Sequence, residues 1–325
     1  MIRSLYQQTD LETQENIPVD SYADALKNSQ GVLWVDICTE SNDEVETLLR
    51  ETFGFHALAI SDALDETHVP KMDDWDTYLT LVVRAVDPTL DLAEAVETRE
   101  IDIFLGQNYF VTYHIAPIPA LEKVWKKTLI KSAAAHLFYQ VIDEIVNDYI
   151  ALTDQIDDAI NDIEDQLFKN AESDLLENIF ALKRDLLHLR RIIAPQRDLV
   201  GRLSRVDYKV INTDFRIYFR DVYDHFLRLY DIIENLRDLV GSALEIYLSV
   251  VNNHMNNVMK TLTIITTLFM PISFLTGFFG MNFFHPVEKL DLWTSLPMFG
   301  ILVLATIVFP VSMFLWIRKR GWMQS

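Results

Sequence analysis

The chain has 325 residues, half of them hydrophobic, with 28 Lys plus Arg against 48 Asp plus Glu and a formal charge of −20. Such an acidic chain offers no basic face to a phosphate backbone, so no nucleic-acid partner is expected. A single cysteine, Cys38, excludes a disulfide scaffold and a cysteine-rich zinc module, and nine Gly and ten Pro are too few for a low-complexity chain.

The first 119 residues read as α/β. Gly31–Ile37 (GVLWVDI) is a buried-strand pattern, and Ser41-Asn-Asp-Glu44 after it is a capping box opening a short helix toward Phe53. Tyr78–Val86 is a second strand. Glu100–Leu105 and Tyr109–His114 flank Gly106-Gln107-Asn108, a hairpin signal.

Residues 120–213 turn helical and acidic. Ile142, Ile145, Tyr149, Leu152, Ile156, Ile160, Ile163 and Leu167 step by three and four, while nine acids fall between Asp143 and Asp165. That pattern is one apolar stripe under a wholly acidic face, either simply solvated or attracting cations. A second helix starts near Asp174, with Glu177 completing a capping box, and Pro195 is expected to bend or break it.

From Asp214 there is no proline until Pro271. Phe215, Phe219, Val222, Phe226, Leu229, Ile233, Leu236, Val240, Ala243, Tyr247 and Val250 alternate steps of four and three, a coiled-coil-like seam. One helix is therefore predicted from residue 214 to residue 279, a stalk over 214–257 leading into a span over 258–279.

Thr261–Phe279 and Ser295–Ile317 carry no charge over 19 and 23 residues, against the ~20 residues that cross a bilayer as a helix. Only the loop 280–294 separates the two spans. Because Met1–Asn16 is polar, no signal peptide is expected there. From Val258 onward five bases stand against two acids, net +3, so residues 1–257 carry −23. Lys260 and the tail 318–325, with Arg318-Lys319-Arg320, place both termini in the cytoplasm by the positive-inside bias, and Trp293 and Trp316 fit interfacial anchoring. A buried apolar hairpin of a water-soluble protein is the alternative.

Past Val250 the seam keeps its spacing but changes chemistry: Asn252, Asn256, Met259, Thr263, Thr266, Met270, Ser273 and Gly277. Hydrocarbon offers amides and hydroxyls no partner, so this face should turn inward, either lining water or packing helix on helix through small residues. Two helices cannot enclose a channel, so a pore needs several copies about one axis. Such a ring holds no carboxylate, thiol or imidazole within the bilayer, which suits contact with a hydrated divalent cation such as Mg2+ better than direct ligation of Zn2+.

At Gly280-Met281-Asn282 the sequence FFGMNF closes the first of two C-terminal spans. Together with Asn178–Leu203 and Ala243–Phe283, this resembles the CorA family of divalent-cation transporters over nearly the whole chain. The resemblance implies an α+β cytoplasmic domain of mixed α/β/α layers, a long helical stalk, two C-terminal transmembrane helices and a funnel-shaped homopentamer in the cell (inner) membrane. It implies that Gly280, Met281 and Asn282 form the selective outer mouth, and that Asn256, Met259, Leu262, Thr266, Met270, Ser273 and Gly277 line the pore, Leu262 taking the place of Thr263.

The resemblance further implies a regulatory Mg2+ site between subunits at Asp62 and Asp221, with Glu288 in the external loop. That loop departs from the family pattern, since Lys289 adjoins Glu288 and the stretch reads FFHPVEKLDLW. Transported ions are expected to be Mg2+, with Co2+, Ni2+ or Zn2+ as further cargo. Met281 favours the CorA branch over the related zinc-transporting branch, whose proton-coupled zinc transport is one rival reading. A membrane-anchored coiled-coil scaffold or sensor is another. An enzyme is not expected: no HExxH, GxSxG or phosphate loop occurs, no His neighbours Cys38, and Asp65-Glu66-x-His68 reads as a surface turn.

Overall fold

The computed structural model describes residues 1–8, 13–39, 42–65, 69–89, 96–127, 133–167, 173–280 and 296–320. They fall into two compact units, Met1–Tyr247 and Leu248–Ser325. Seven strands make one sheet in unit 1: β1 Ile2–Gln8, β2 Gln14–Glu15, β3 Gly31–Cys38, β4 Lys71–Asp74, β5 Leu79–Val86, β6 Thr98–Leu105 and β7 Tyr109–His114. Their order is β2-β1-β3-β7-β6-β5-β4. Only the central pair β3–β7 is parallel; every other pairing is antiparallel.

The continuous apolar run of β3 follows from cover on both faces of the sheet. Trp34 points into one core with Leu81, Ile101 and Phe110, while Leu33, Val35 and Ile37 point into the other with Phe104 and Val111. The second core is closed by α1 Tyr22–Lys27, α2 Asn42–Thr47 and α3 Ala57–Leu64. Behind α2 a wide π-type turn, Leu48–Thr52, brings the chain to Phe53. The hairpin expected at Gly106 is present, its N–H donating to the Tyr109 carbonyl at 3.0 Å. A Cβ at Gly106 would collide with the Tyr109 ring, so the turn needs glycine.

The first core is closed by α4 Pro119–Lys127, α5 Ala134–Leu167, α6 Ser173–Leu203 and the unit-1 part of α7 Arg216–Gly280. Every position of the α5 stripe from Ile142 to Leu167 is buried, and the α7 seam is buried from Phe219 to Ala243. A short 3-10 turn, Thr213–Phe215, precedes α7, its Asn212 side chain accepting from the Asp214 N–H.

Two expectations are narrowed. Pro195 does not end α6, which continues to Leu203. A mid-helix proline costs about 3 kcal/mol, but the turns beyond it bury Leu199, Val200 and Leu203, and Gln196 accepts from the Arg84 N–H of β5 at 2.8 Å. Nor is the acidic face of α5 wholly solvated. Asp148 is buried against Lys123, which also reaches Glu144 at 3.2 Å, and that burial raises the Asp148 carboxyl more than the lysine lowers it.

At one end of the sheet Asp36 is buried, accepting from Arg3 Nε at 2.8 Å and the Thr112 hydroxyl at 2.5 Å, with His114 Nε2 at 3.1 Å. Burial alone would raise the Asp36 carboxyl, but the hydrogen bond and charge of His114, the Thr112 hydroxyl and the Arg3 guanidinium outweigh it and hold it below the ordinary carboxylate range. Arg3 also pairs with Glu122 at 2.6 Å and lies 4.2 Å over the Trp125 ring, so the node joins β1, β3, β7 and α4.

Candidate functional site

Unit 2 holds the remainder of α7 and α8 Leu296–Lys319. Both helices are long and apolar enough to cross a membrane. Many of their large side chains do not find cover in the protein: Phe269 is 61 % exposed, Phe274 69 % and Leu304 61 %. Leaving such a side chain in water forgoes about 1.5–3 kcal/mol each, so a buried apolar hairpin is not what these segments form. Lipid is the solvent that removes the cost.

The face of α7 singled out by its chemistry is exposed throughout: Asn256, Met259, Leu262, Thr266, Met270, Ser273 and Gly277. Four of the half-shielded positions, Ile264, Leu268, Pro271 and Leu275, lie roughly 150° round the helix from it. The first face therefore carries the oxygen-bearing and small residues Asn256, Thr266, Ser273 and Gly277 together with Met259, Leu262 and Met270, while the four positions opposite it are apolar. Leu262 and Thr263 flank the midline of the first face from opposite sides, and both are exposed.

The threonine hydroxyls have a definite direction. Thr263 donates to the Met259 carbonyl and Thr266 to the Leu262 carbonyl, both at 2.8 Å. With the proton spent on the helix's own backbone, each hydroxyl oxygen keeps lone pairs free to accept. Acceptors directed this way are the chemistry that the outward-turned hydrogens of a cation's water shell would need. Residues 258–280 contain no Asp, Glu, His or Cys, so no side chain there binds a bare transition metal strongly.

Gly280 is the last residue of α7. Met281, Asn282 and Glu288, and likewise Ser41, Glu66 and His68, lie outside the described residues.

In unit 1, Asp62 sits on α3 with its carboxylate 2.6 Å from the Lys71 ammonium of β4. A divalent ion arriving at Asp62 therefore competes with a lysine, a partner the sequence alone did not single out. Asp221 is exposed on α7, and its charge and that of Asp143 both act on Tyr139 of α5. Burial first, then the charges of Asp143 and Asp221, raise the Tyr139 hydroxyl. One turn along, His225 Nδ1 lies 3.3 Å from Asp143. Among the described residues no group of three or more His, Cys, Asp or Glu is close enough to hold a metal ion within one chain. The described residues thus assemble no complete ligand set around Asp62 or Asp221 within one chain.

Residues 29–319 match the sequence profile of the family described as CorA-like Mg2+ transporter protein. YfjQ of Bacillus subtilis is 34 % identical over 296 residues, 89 % of each chain. The cobalt/magnesium transport protein CorA of Thermotoga maritima is 32 % identical over 92 % of this chain and 85 % of its own. In fold, the complete CorA magnesium transporter from Methanocaldococcus jannaschii superposes with a TM-score of 0.83 over 98 % of both chains at 22 % identity. With a profile matching from β3 through α8 and relatives aligned nearly end to end, this chain belongs to the CorA-like Mg2+ transporter family.

Proposed function

We propose that five copies gather about one axis in the cell membrane and conduct Mg2+ inward, with Co2+ and Ni2+ as further cargo. The observation that carries this reading is the exposed face of α7 from Asn256 to Gly277, which presents amide and hydroxyl oxygen and offers no carboxylate, imidazole or thiol. Mg2+ gives up its water reluctantly, so a lining of neutral acceptors lets it pass hydrated. Met259 and Met270, both exposed on this face, supply apolar constrictions that close by dewetting. Asn282 presents a carbonyl to the hydrated ion at the outer mouth, with Glu288 nearby. Both termini lie in the cytoplasm, with Lys260 and Arg318-Lys319-Arg320 on that side.

The test is ion uptake into vesicles holding the purified full chain. Mg2+ entry is expected, with competition by Co2+ and Ni2+ and no response to an imposed pH gradient. Zn2+ entry driven by such a gradient would replace this reading with proton-coupled zinc transport, and no flux at all would favour a scaffold. In the same vesicles Asn282→Ala is expected to lower Mg2+ entry to the level of empty vesicles.

Internal Mg2+ bridging Asp62 and Asp221 of adjacent copies closes the assembly in this reading. Carboxylates meeting across an interface repel unless a cation lies between them, and bodies of −23 each sharpen that repulsion. The expected result is that Asp221→Ala requires several-fold more Mg2+ than wild type to protect the chain from protease, since each copy loses one of its two ligands. A superimposable protection curve removes Asp221 from the regulatory site.

A further inference from the structure

The hairpin of α5 and α6 carries two exposed faces of opposite sign. On α6 the outward strip is Phe180, Lys183, Arg184, Leu187 and Arg191, with Phe180 half exposed and Asp185, the one acid in that stretch, turned inward and buried. On α5 the outward face carries Asp154, Asp157, Asp158 and Asp162. None of these charged side chains forms a salt bridge among the described residues, whereas Arg190, on the inner edge of α6, pairs with Glu234 of α7 at 2.6 Å. Both outward faces lie opposite the buried stripes of their own helices, so one chain cannot bring them together.

Their levels match. Five residues join α5 to α6, which makes the two antiparallel neighbours. Leu167 ends α5 and Ser173 begins α6, so residues at equal height on the two helices have numbers summing to about 340. Lys183 then stands level with Asp157, and Leu187 with Asp154. Contacts Arg190–Glu234, Arg197–Tyr230 and Arg205–Tyr223 lay α6 along α7 in the opposite direction. Rotation about an axis running along α7 carries each helix to its copy without changing height. In such a ring the basic strip of one copy lies at the same level as the acid face of the next, where their charges correspond.

We infer that the Phe180–Arg191 strip of α6 docks on the Asp154–Asp162 face of α5 in a second copy of this chain, an inference that rests on the ring proposed above. The contact is polar and solvated, with Phe180 and Leu187 as its apolar centre. It ties neighbours together outside the α7 seam and weakens as salt rises.

The experiment uses the full chain with Cys38→Ser. Asp157→Cys and Lys183→Cys are placed in separately tagged copies, co-expressed, and treated with a short bis-maleimide. A covalent dimer carrying both tags is expected, and neither variant alone should give it. Adding Arg184→Glu to the Lys183→Cys copy should cut that band about five-fold, and Asp158→Lys in the other copy should restore it. An oligomer on light scattering without the two-tag band overturns the docking and leaves the ring standing. A single copy on light scattering overturns both, and adducts carrying only one tag identify another occupant and overturn the docking.

Discussion

Thr266→Arg is expected to abolish Mg2+ entry into vesicles, whereas Ile265→Ala one residue away leaves it within about two-fold of wild type. Thr266 is on the face proposed to line the pore, and Ile265 is about 100° round the helix from it. A guanidinium stays charged at any accessible pH. At about 5 Å from a divalent ion, one such charge costs about 1.7 kcal/mol even with the dielectric of water, and five copies sum to about 8 kcal/mol. That is roughly six orders of magnitude in rate, far beyond what uptake assays resolve. Thr266→Met separates charge from bulk, because this face already carries Met259 and Met270, and it should keep a measurable flux. Equal loss of flux in the Met and Arg variants would mean that Thr266 acts through packing, and unimpaired entry in Thr266→Arg would move the pore to another face.

The largest effect on stability is expected at Asp36. Asp36→Asn preserves shape but removes the negative charge that faces Arg3 Nε and His114 Nε2 and accepts from the Thr112 hydroxyl. Breaking a buried charge pair by deleting one partner costs about 3–5 kcal/mol when the other charge is left uncompensated; Glu122 still pairs with Arg3 at 2.6 Å, so the loss is expected at the lower end of that range. For a unit of this size the melting temperature should fall by on the order of 10 °C. Trp34 is the natural reporter: its indole N–H donates to Thr112 Oγ1 at 3.2 Å and its ring lies 4.8 Å from that of Trp125.

The pH dependence has a definite sign. Asp36 is held below the ordinary carboxylate range. Its contribution is complete above that range and is lost as pH falls through the lowered value. Wild type should therefore lose on acidification part of the stability that Asp36→Asn lacks at neutral pH, so the two melting curves converge in acid. A constant gap between them down to the lowest accessible pH would show that Asp36 contributes by shape and not by charge.

The elements written as local periodicity were legible. The buried α5 stripe and the α7 seam follow from steps of three and four, and β7 falls on Tyr109–His114 as read. The strands β1 and β4 were not. Ile2–Gln8 (IRSLYQQ) buries only Ser4 and Leu5 fully, and Lys71–Asp74 buries only Met72, so neither shows the apolar alternation that marks a strand. Their place comes from partners: Leu5 opposes Trp34, and Met72 opposes Leu81. At the candidate regulatory acids, Lys71 beside Asp62 and Tyr139 within reach of the Asp221 charge were also illegible, being tertiary neighbours rather than spacings.

Sequence alone determined that this chain has two uncharged apolar segments near its end, a long helix entering the first of them, and a face on that helix that changes from apolar to oxygen-bearing. Each of these is a property of neighbours within one or two turns, where backbone geometry converts spacing directly into a face. Only the tertiary structure decided that α6 runs through Pro195, that Asp148 is sheltered by Lys123, and that Asp36 is held by Arg3 and His114. Those outcomes depend on groups 25 to 112 residues apart, such as Arg84 and Gln196, meeting where water is excluded. There an unpaired charge or a missing hydrogen bond weighs more than any local preference.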